Sequence, residues 1–185
     1  MIRKVVVFTI LSIILSSCAS SSSTNSESIG YIAADGSAVL GDPSERGNPI
    51  DLTAAYLDGK TWNIKDFRGE VIILNAWGPW CAPCRTEVPQ LQVLLDSKSA
   101  EGLQVFGFAT RTNESSVNAF LSKRNITYPQ IADFDSSVIS QIEGVPSATV
   151  PGTIFIDKKG RVAGFALGAA DISLIRNLAE SLLEE

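Results

Sequence analysis

Histidine is absent from the 185-residue sequence, and cysteine occurs only three times, at Cys18, Cys81 and Cys84. A structural zinc site uses four ligands, mostly Cys and His, so these cysteines would need a borrowed carboxylate to complete one. Covalent haem attachment needs His directly after the second Cys of a pair, and Arg85 follows Cys84 here. The missing residues therefore argue against a metal or haem cofactor at the cysteines.

Basic residues are also scarce, with 15 Lys and Arg against 20 Asp and Glu and a formal net charge of −5. Because an acidic protein is repelled by phosphate, we expect neither nucleic acid nor an anionic membrane surface as its natural partner. A hydrophobic content of 45% is ample for a core, and the chain has the length of one domain.

A long membrane-spanning run is missing from the N-terminus. The apolar segment at residues 5–15 follows two basic residues and is too short to cross a bilayer comfortably, which is typical of a targeting signal. It ends in Leu15-Ser16-Ser17-Cys18, which resembles the lipobox of bacterial lipoproteins. The resemblance implies that residues 1–17 are removed and that Cys18 carries a lipid anchor in the cell membrane, on its extracytoplasmic face. An ordinary secretory signal or an anchor helix is the alternative.

Serine dominates residues 19–28, and glycine and proline remain frequent up to Gly47. A segment of this composition cannot bury a core and is expected to be flexible. We therefore predict a lipidated tether over residues 18–46 and a single folded domain over residues 47–185.

A predicted buried strand at residues 71–76 is followed by a predicted helix at residues 81–100. The short motif Trp80-Cys81-Ala82-Pro83-Cys84 lies at the start of this helix. The N-terminus of a helix favours an anion, so the Cys81 thiol should lose its proton more readily than an ordinary thiol. Cys84 is close enough to form a disulfide with Cys81. The motif predicts thiol–disulfide exchange, in which Cys81 attacks and Cys84 resolves the mixed disulfide. Half of a zinc site and a purely structural disulfide are the alternatives.

The sequence from Asn75 to Pro89, NAWGPWCAPCRTEVP, resembles the active-site segment of thioredoxin-fold proteins. It is most similar to the TlpA/ResA group, which are membrane-tethered bacterial thiol–disulfide oxidoreductases of the redoxin superfamily. The upstream stretch GKTWNIKDFRGE, at residues 59–70, resembles the lead-in of the same group. The resemblance implies a thioredoxin-like α/β fold with a mixed central sheet, helices on both faces, an N-terminal hairpin and an inserted helix and strand.

Hydrophobic periodicity and turn residues predict elements in the same order. The expected elements are a hairpin at 52–63 that turns at Asp58-Gly59, a strand at 71–76, a helix at 81–100, a strand at 103–108, a helix at 115–124, a short helix at 136–142, strands at 153–156 and 162–167, and a last helix that begins near Asp171.

Four positions are expected to contact the substrate. Trp80 and Pro83 belong to the cysteine motif itself, although Trp80 could equally be an ordinary aromatic at the rim. The Val150-Pro151 bond matches the cis-proline site of thioredoxin folds, where the backbone faces the two cysteines. The resemblance therefore implies a cis bond before Pro151 and a substrate contact from Val150 and Pro151.

Glu87 is a candidate proton acceptor. It lies three residues after Cys84 and so returns to the same side of the helix, and it matches a glutamate of the ResA-like proteins. Asn75 stands where thioredoxin has a buried Asp, and an amide cannot titrate in its place. A solvated helix carboxylate is the alternative interpretation of Glu87.

These features together predict a membrane-anchored extracytoplasmic oxidoreductase that exchanges disulfides with exported proteins. It would need no cofactor, and an upstream membrane or extracytoplasmic thiol redox partner would supply its electrons. The Ala-Pro dipeptide has no histidine to stabilise a thiolate, which favours a reductant of the cytochrome c maturation type. An oxidase or isomerase of exported proteins and a non-catalytic surface lipoprotein are the alternatives. A peroxiredoxin would have Thr three residues before Cys81, where Gly78 stands.

Overall fold

The structure of the protein is a computed structural model that describes residues 38–145 and 149–185. Its strands are β1 (Ala38–Leu40), β2 (Thr53–Ala55), β3 (Thr61–Asn63), β4 (Val71–Trp77), β5 (Leu103–Ala109), β6 (Gln130–Ala132), β7 (Gly152–Ile156) and β8 (Val162–Leu167). Its α-helices are α1 (Cys84–Lys98), α2 (Glu114–Arg124) and α3 (Ile172–Glu184). Short 3-10 helices cover Ile64–Phe67, Ser99–Glu101 and Ile139–Gln141. The predicted thioredoxin-like fold is confirmed.

Strand β4 lies inside a mixed sheet with the strand order β1-β8-β7-β4-β5-β6. It pairs in parallel with β5, to which α1 connects it, and antiparallel with β7. All seven residues of β4 are buried, as the continuous apolar run in the sequence predicts. The carboxyl end of this strand leads directly to the two cysteines.

The two faces of the sheet are covered differently. The buried apolar side chains of α1, α2 and α3 all belong to one cluster, together with Val71, Ile73 and Trp77 of β4. On the opposite face, Ile72 and Leu74 join a cluster that the β2–β3 hairpin and two of the 3-10 helices cover. Helical segments therefore flank both faces, but the three α-helices share one. The hairpin turns at Asp58-Gly59 as predicted, and Gly59 has a φ of +81°, which suits glycine.

The folded domain begins earlier than predicted. Strand β1 pairs antiparallel with β8, with Ala38 opposite Ala166. Arg46 is buried, and its guanidinium forms ion pairs with Asp157 at 3.1 Å and with Glu185 at 2.6 Å. The boundary at residue 47 is therefore wrong, because pairing of an edge strand and long-range ion pairs leave no periodic pattern in a segment this short.

Residues 1–37, with the predicted signal peptide, the lipidation site Cys18 and most of the predicted tether, lie outside the described residues. Among the helices that the structure describes, none combines the length and the apolar character required to cross a bilayer.

The Arg46 ion pairs should contribute to stability. Arg46→Ala removes a buried cation and leaves Asp157 with Arg161 as its remaining ion-pair partner, so we expect a loss of about 2–3 kcal/mol in the free energy of unfolding. Urea denaturation of the oxidised protein measures the loss. Lys60→Ala is the matched control, because the Lys60–Asp58 pair is exposed and its removal should leave the urea midpoint nearly unchanged. Equal midpoints for Arg46→Ala and Lys60→Ala would contradict a structural role for Arg46.

Candidate functional site

Cys81 and Cys84 form a disulfide just beyond the carboxyl end of β4, with Cα atoms 5.3 Å apart. The predicted pairing is therefore present. Cys84 is fully buried, whereas Cys81 retains 4% exposure. Of the two sulfur-bearing residues, Cys81 is the one that a partner can approach from solvent.

Helix α1 begins at Cys84, one turn later than predicted, because Ala82 and Pro83 form a turn that precedes it. The backbone N–H of Cys84 donates to the Cys81 sulfur at 3.2 Å. The N–H of Arg85 donates to the Cys81 carbonyl, also at 3.2 Å. The Cys84 N–H at the helix start therefore points at the Cys81 sulfur, where it stabilises negative charge once the disulfide is reduced.

Trp80 is the exposed member of the motif, with half of its surface accessible. Its indole N–H donates to the Thr110 carbonyl at 3.3 Å, and the Arg111 guanidinium lies over the ring, 4.8 Å from its centroid. A Cβ at Gly78 would collide with the same indole, so a larger residue there would displace the Trp80 ring. These contacts fix the Trp80 ring beside Cys81, where it forms an apolar surface that a partner can contact.

The Val150–Pro151 bond is cis, as the resemblance implied. Pro151 is buried immediately before β7, and Val150 packs against the apolar cluster that contains Cys81 and Cys84. Pro83, by contrast, is exposed at the start of α1. Three of the predicted contact residues, Trp80, Pro83 and Val150, thus keep some surface in the neighbourhood of the disulfide.

Glu87 is buried, with 4% of its surface exposed. Its carboxylate oxygen Oε1 accepts a hydrogen bond from Asn75 Nδ2 at 2.6 Å and a longer one from Thr153 Oγ1 at 3.4 Å. Burial raises the pKa of Glu87 to about 7, and the hydrogen bonds from Asn75, Thr153 and the Ala170 backbone oppose the rise. Glu87 is therefore a desolvated carboxyl group that titrates near neutral pH.

Asn75, Glu87 and Thr153 form a polar cluster within the core, contributed by β4, α1 and β7. Asn75 and Thr153 face each other across the sheet, and their side chains lie 3.2 Å apart from Nδ2 to Oγ1. Asn75 Oδ1 has no hydrogen-bond partner among the described residues. Because an amide turned by 180° presents its oxygen, Asn75 can also accept a hydrogen bond from a protonated Glu87. The cluster thus accommodates both protonation states of the carboxyl group.

Tyr128 is a neighbour of Glu87 that the sequence analysis missed. It is buried, and burial raises the pKa of its phenol, to which the negative charge of Glu87 adds. Gln92 fixes the backbone here, since its Oε1 accepts the N–H groups of Thr127 and Tyr128 at 2.8 and 3.1 Å. The sequence feature that could have indicated this contact is Gln92 itself, a polar residue at an inward-facing helix position.

Gln130 forms hydrogen bonds to two aromatic residues of the core, Trp77 and Tyr128. Its Oε1 accepts the Trp77 indole N–H at 2.8 Å, and its Nε2 donates to the Tyr128 carbonyl at 3.0 Å. A Cβ on Gly107 would collide with the Gln130 amide, so that strand position is restricted to glycine. No periodic pattern in the sequence indicates these contacts, because they join residues on different strands.

Comparison with known proteins links this geometry to a family. The sequence profile of the AhpC/TSA family matches residues 47–165. The thiol-disulfide oxidoreductase ResA of Geobacillus thermodenitrificans is 27% identical over 132 residues, which cover 71% of this chain and 74% of that protein. ResA of Bacillus subtilis is 25% identical over 134 residues, which cover 72% of this chain and 73% of that protein.

Solved structures give the same result. A secreted thiol-disulfide isomerase from Corynebacterium glutamicum superposes with a TM-score of 0.75 at 31% identity, covering 84% of this chain and 97% of that one. A DsbF homologue from Corynebacterium diphtheriae has a TM-score of 0.73 at 28% identity, covering 82% of this chain and 98% of that one. From the profile match, these similarities and the Cys81–Cys84 disulfide, we conclude that the chain belongs to the AhpC/TSA family and is a thiol–disulfide oxidoreductase similar to ResA.

Proposed function

We propose that this thiol–disulfide oxidoreductase reduces disulfides of exported proteins at the extracytoplasmic face of a bacterial cell membrane. The main support is the Cys81 sulfur, which accepts a backbone N–H at 3.2 Å and belongs to the more exposed residue of the pair. The Corynebacterium glutamicum relative is described as secreted, which supports a site of action outside the cytoplasm.

The proposed reaction has two exchange steps. In the reduced protein, the Cys81 thiolate attacks a partner disulfide, so that a mixed disulfide forms and one partner thiolate leaves. Cys84 then loses its proton and attacks the Cys81 sulfur, which releases the second partner thiolate and restores the Cys81–Cys84 disulfide. The partner gains two electrons and two protons, and an upstream thiol redox partner must return two electrons to this chain.

Glu87 is proposed to accept the proton of Cys84 in the second step. It lies one helical turn beyond Cys84 and is buried in the same core, where bulk water does not reach easily. A base works best when its pKa lies near the working pH, and the pKa of Glu87 is raised to about 7. Asn75 and Thr153 orient the carboxylate, but neither side chain can replace it as the proton acceptor.

The reducing direction is proposed from the residues between the cysteines. Related dithiols span reduction potentials from about −270 mV in thioredoxin to about −120 mV in DsbA. The Ala82-Pro83 dipeptide contributes no histidine to stabilise the reduced form, which favours the reducing end. Isomerase activity is the second candidate, because a relative at 31% identity is described as a thiol-disulfide isomerase. A peroxiredoxin-type site is disfavoured, because Gly78 stands three residues before Cys81, where such a site needs threonine.

The order of the two cysteines can be tested by trapping. Cys84→Ser should accumulate mixed disulfides with exported proteins, since the second exchange step is blocked after Cys81 has attacked. Cys81→Ser is the matched control and should accumulate far fewer, because Cys84 is fully buried. Non-reducing gels followed by mass spectrometry measure the adducts. Equal trapping by the two variants would refute the assignment, and a wild-type protein inactive in insulin reduction would favour a non-catalytic role.

The proton-transfer role of Glu87 predicts a specific pH dependence. In the wild type the resolving rate should rise through about pH 7, because the carboxyl group must be ionised to accept a proton. Glu87→Gln should fold normally, lack this inflection and resolve mixed disulfides at least about tenfold more slowly at pH 7. Stopped-flow fluorescence across the pH range measures the rates. Superimposable pH profiles would mean that water accepts the proton instead.

The membrane location depends on lipidation of Cys18, which the lipobox resemblance implies. Full-length Cys18→Ala should lose labelling by a radioactive or clickable fatty acid and should leave the membrane fraction. Its insulin-reduction activity should remain, since Cys18 is distant in sequence from the redox motif. Cys18→Ala that still carries the acyl label would exclude Cys18 as the anchor.

A further inference from the structure

A surface pocket of about 450 Å³ adjoins the redox disulfide. We call it the arginine pocket, and it is lined by Ala82, Arg85, Thr86, Pro89, Gln90 and Arg124. Ala82 stands between the two cysteines, so whatever occupies the pocket lies next to the disulfide. None of the six lining residues is acidic, although acidic residues outnumber basic ones in the chain. The pocket is therefore locally basic on an acidic protein.

Both arginines are available for a ligand. Arg85 and Arg124 are exposed, and within the described ranges neither forms a salt bridge, whereas Arg46, Lys98 and Arg161 all do. Arg124 Nη1 reaches the Arg85 carbonyl at 3.5 Å, and its guanidinium lies 5.6 Å from the centroid of the Phe120 ring. The hydrogen bond joins the end of α2 to the start of α1, and both positive charges lie in the lining of one pocket.

A third arginine, Arg111, also lies at the end of the molecule that carries the disulfide. Arg111 is exposed and stacks over Trp80, the residue immediately before Cys81. It too forms no salt bridge within residues 38–145 and 149–185. The approach to Cys81 is thus bordered by cationic side chains that are not neutralised by neighbouring carboxylates.

We propose that the arginine pocket binds carboxylate side chains that flank the disulfide of the exported protein that this chain reduces. The proposal rests on the proposed oxidoreductase function and specifies the chemistry of the partner. A guanidinium offers paired N–H donors that match a carboxylate, and two of them can hold an acidic segment in a fixed register. The net charge of −5 would repel an acidic partner at most orientations, so the pocket attracts it only where its cysteines meet Cys81.

A pair of synthetic peptides tests the proposal with full-length reduced protein in detergent. Each peptide carries one intramolecular disulfide, flanked by Asp and Glu in the first and by Asn and Gln in the second. The double variant Arg85→Gln/Arg124→Gln should reduce the acidic peptide roughly five- to tenfold more slowly than the wild type at low salt. Its rate with the neutral peptide should stay within about twofold, and the difference should shrink at high ionic strength.

Lys159→Gln is the matched control for Arg85→Gln and Arg124→Gln tested singly, since each of these variants removes one positive charge. Lys159 is exposed in the turn after β7, at the end of the sheet opposite to the disulfide, so its loss changes net charge without touching the pocket. An equal effect of Lys159→Gln, or an equal loss for both peptides, would overturn the proposal. Inhibition by inorganic phosphate without any preference between the peptides would also overturn it, in favour of a simple anion site. Failure of the wild type to reduce either peptide would instead refute the proposed function.

Discussion

The hydrogen bond between Asn75 and Glu87, 2.6 Å from Nδ2 to Oε1, joins the central strand to the active-site helix. Strand β4 supplies Asn75 from a position buried on both faces, and α1 supplies Glu87 one turn beyond the resolving cysteine. Thr153 on the neighbouring strand β7 completes the contact, since its hydroxyl lies within hydrogen-bond distance of both side chains. The relative placement of strand, helix and disulfide therefore depends on a polar cluster that has no access to bulk water.

Burial of that cluster determines which protonation state of Glu87 is favoured. A carboxyl group in a desolvated site favours its neutral form, and three hydrogen bonds reduce this preference without abolishing it. Since the folded state raises the pKa of Glu87, its contribution to stability is fully present below its ordinary value near 4.5. That contribution is lost as the pH rises through about 7. The protein thus holds at neutral pH a group that destabilises the fold when charged, which is typical of a residue kept for chemistry.

The charged side chains at the surface near the disulfide are positive, opposite in sign to the buried Glu87. Glu87 is buried one helical turn from Cys84, and Arg85 and Arg124, which form no ion pair among the described residues, lie near the disulfide at the surface. The buried acid is placed to accept a proton within the core, whereas the arginines face whatever approaches from solvent. This separation allows the proton chemistry and the choice of partner to vary independently, because different side chains carry each task.

Much of this could be predicted from local sequence. The apolar run before Trp77, the cysteine motif and the turn at Asp58-Gly59 each specify their structure within a few residues, and the structure reproduces them. The family resemblance added the cis bond before Pro151 and the relation of Glu87 to the cysteines. Burial of Glu87 could not be predicted, because the i, i+3 relation places residues on one face without fixing what covers that face.

Long-range contacts account for the failures. Arg46 meets partners that lie 111 and 139 residues away, and β1 is held by main-chain pairing, so composition alone assigned both to a tether. Tyr128 and Gln130 reach the site only because β6 pairs with β5. The late start of α1 at Cys84 reflects the turn that Ala82 and Pro83 form, a local effect that helix periodicity does not detect.

The central claim is that the fold keeps Glu87 as a carboxyl group poised to exchange a proton near neutral pH. Carbon-13 NMR of the oxidised protein, labelled at the glutamate δ carbon and assigned by loss of one signal in Glu87→Gln, measures this directly. The account predicts a resonance that titrates at about pH 7. A Glu87 signal that titrates instead near the ordinary glutamate value of about 4.5 would contradict it.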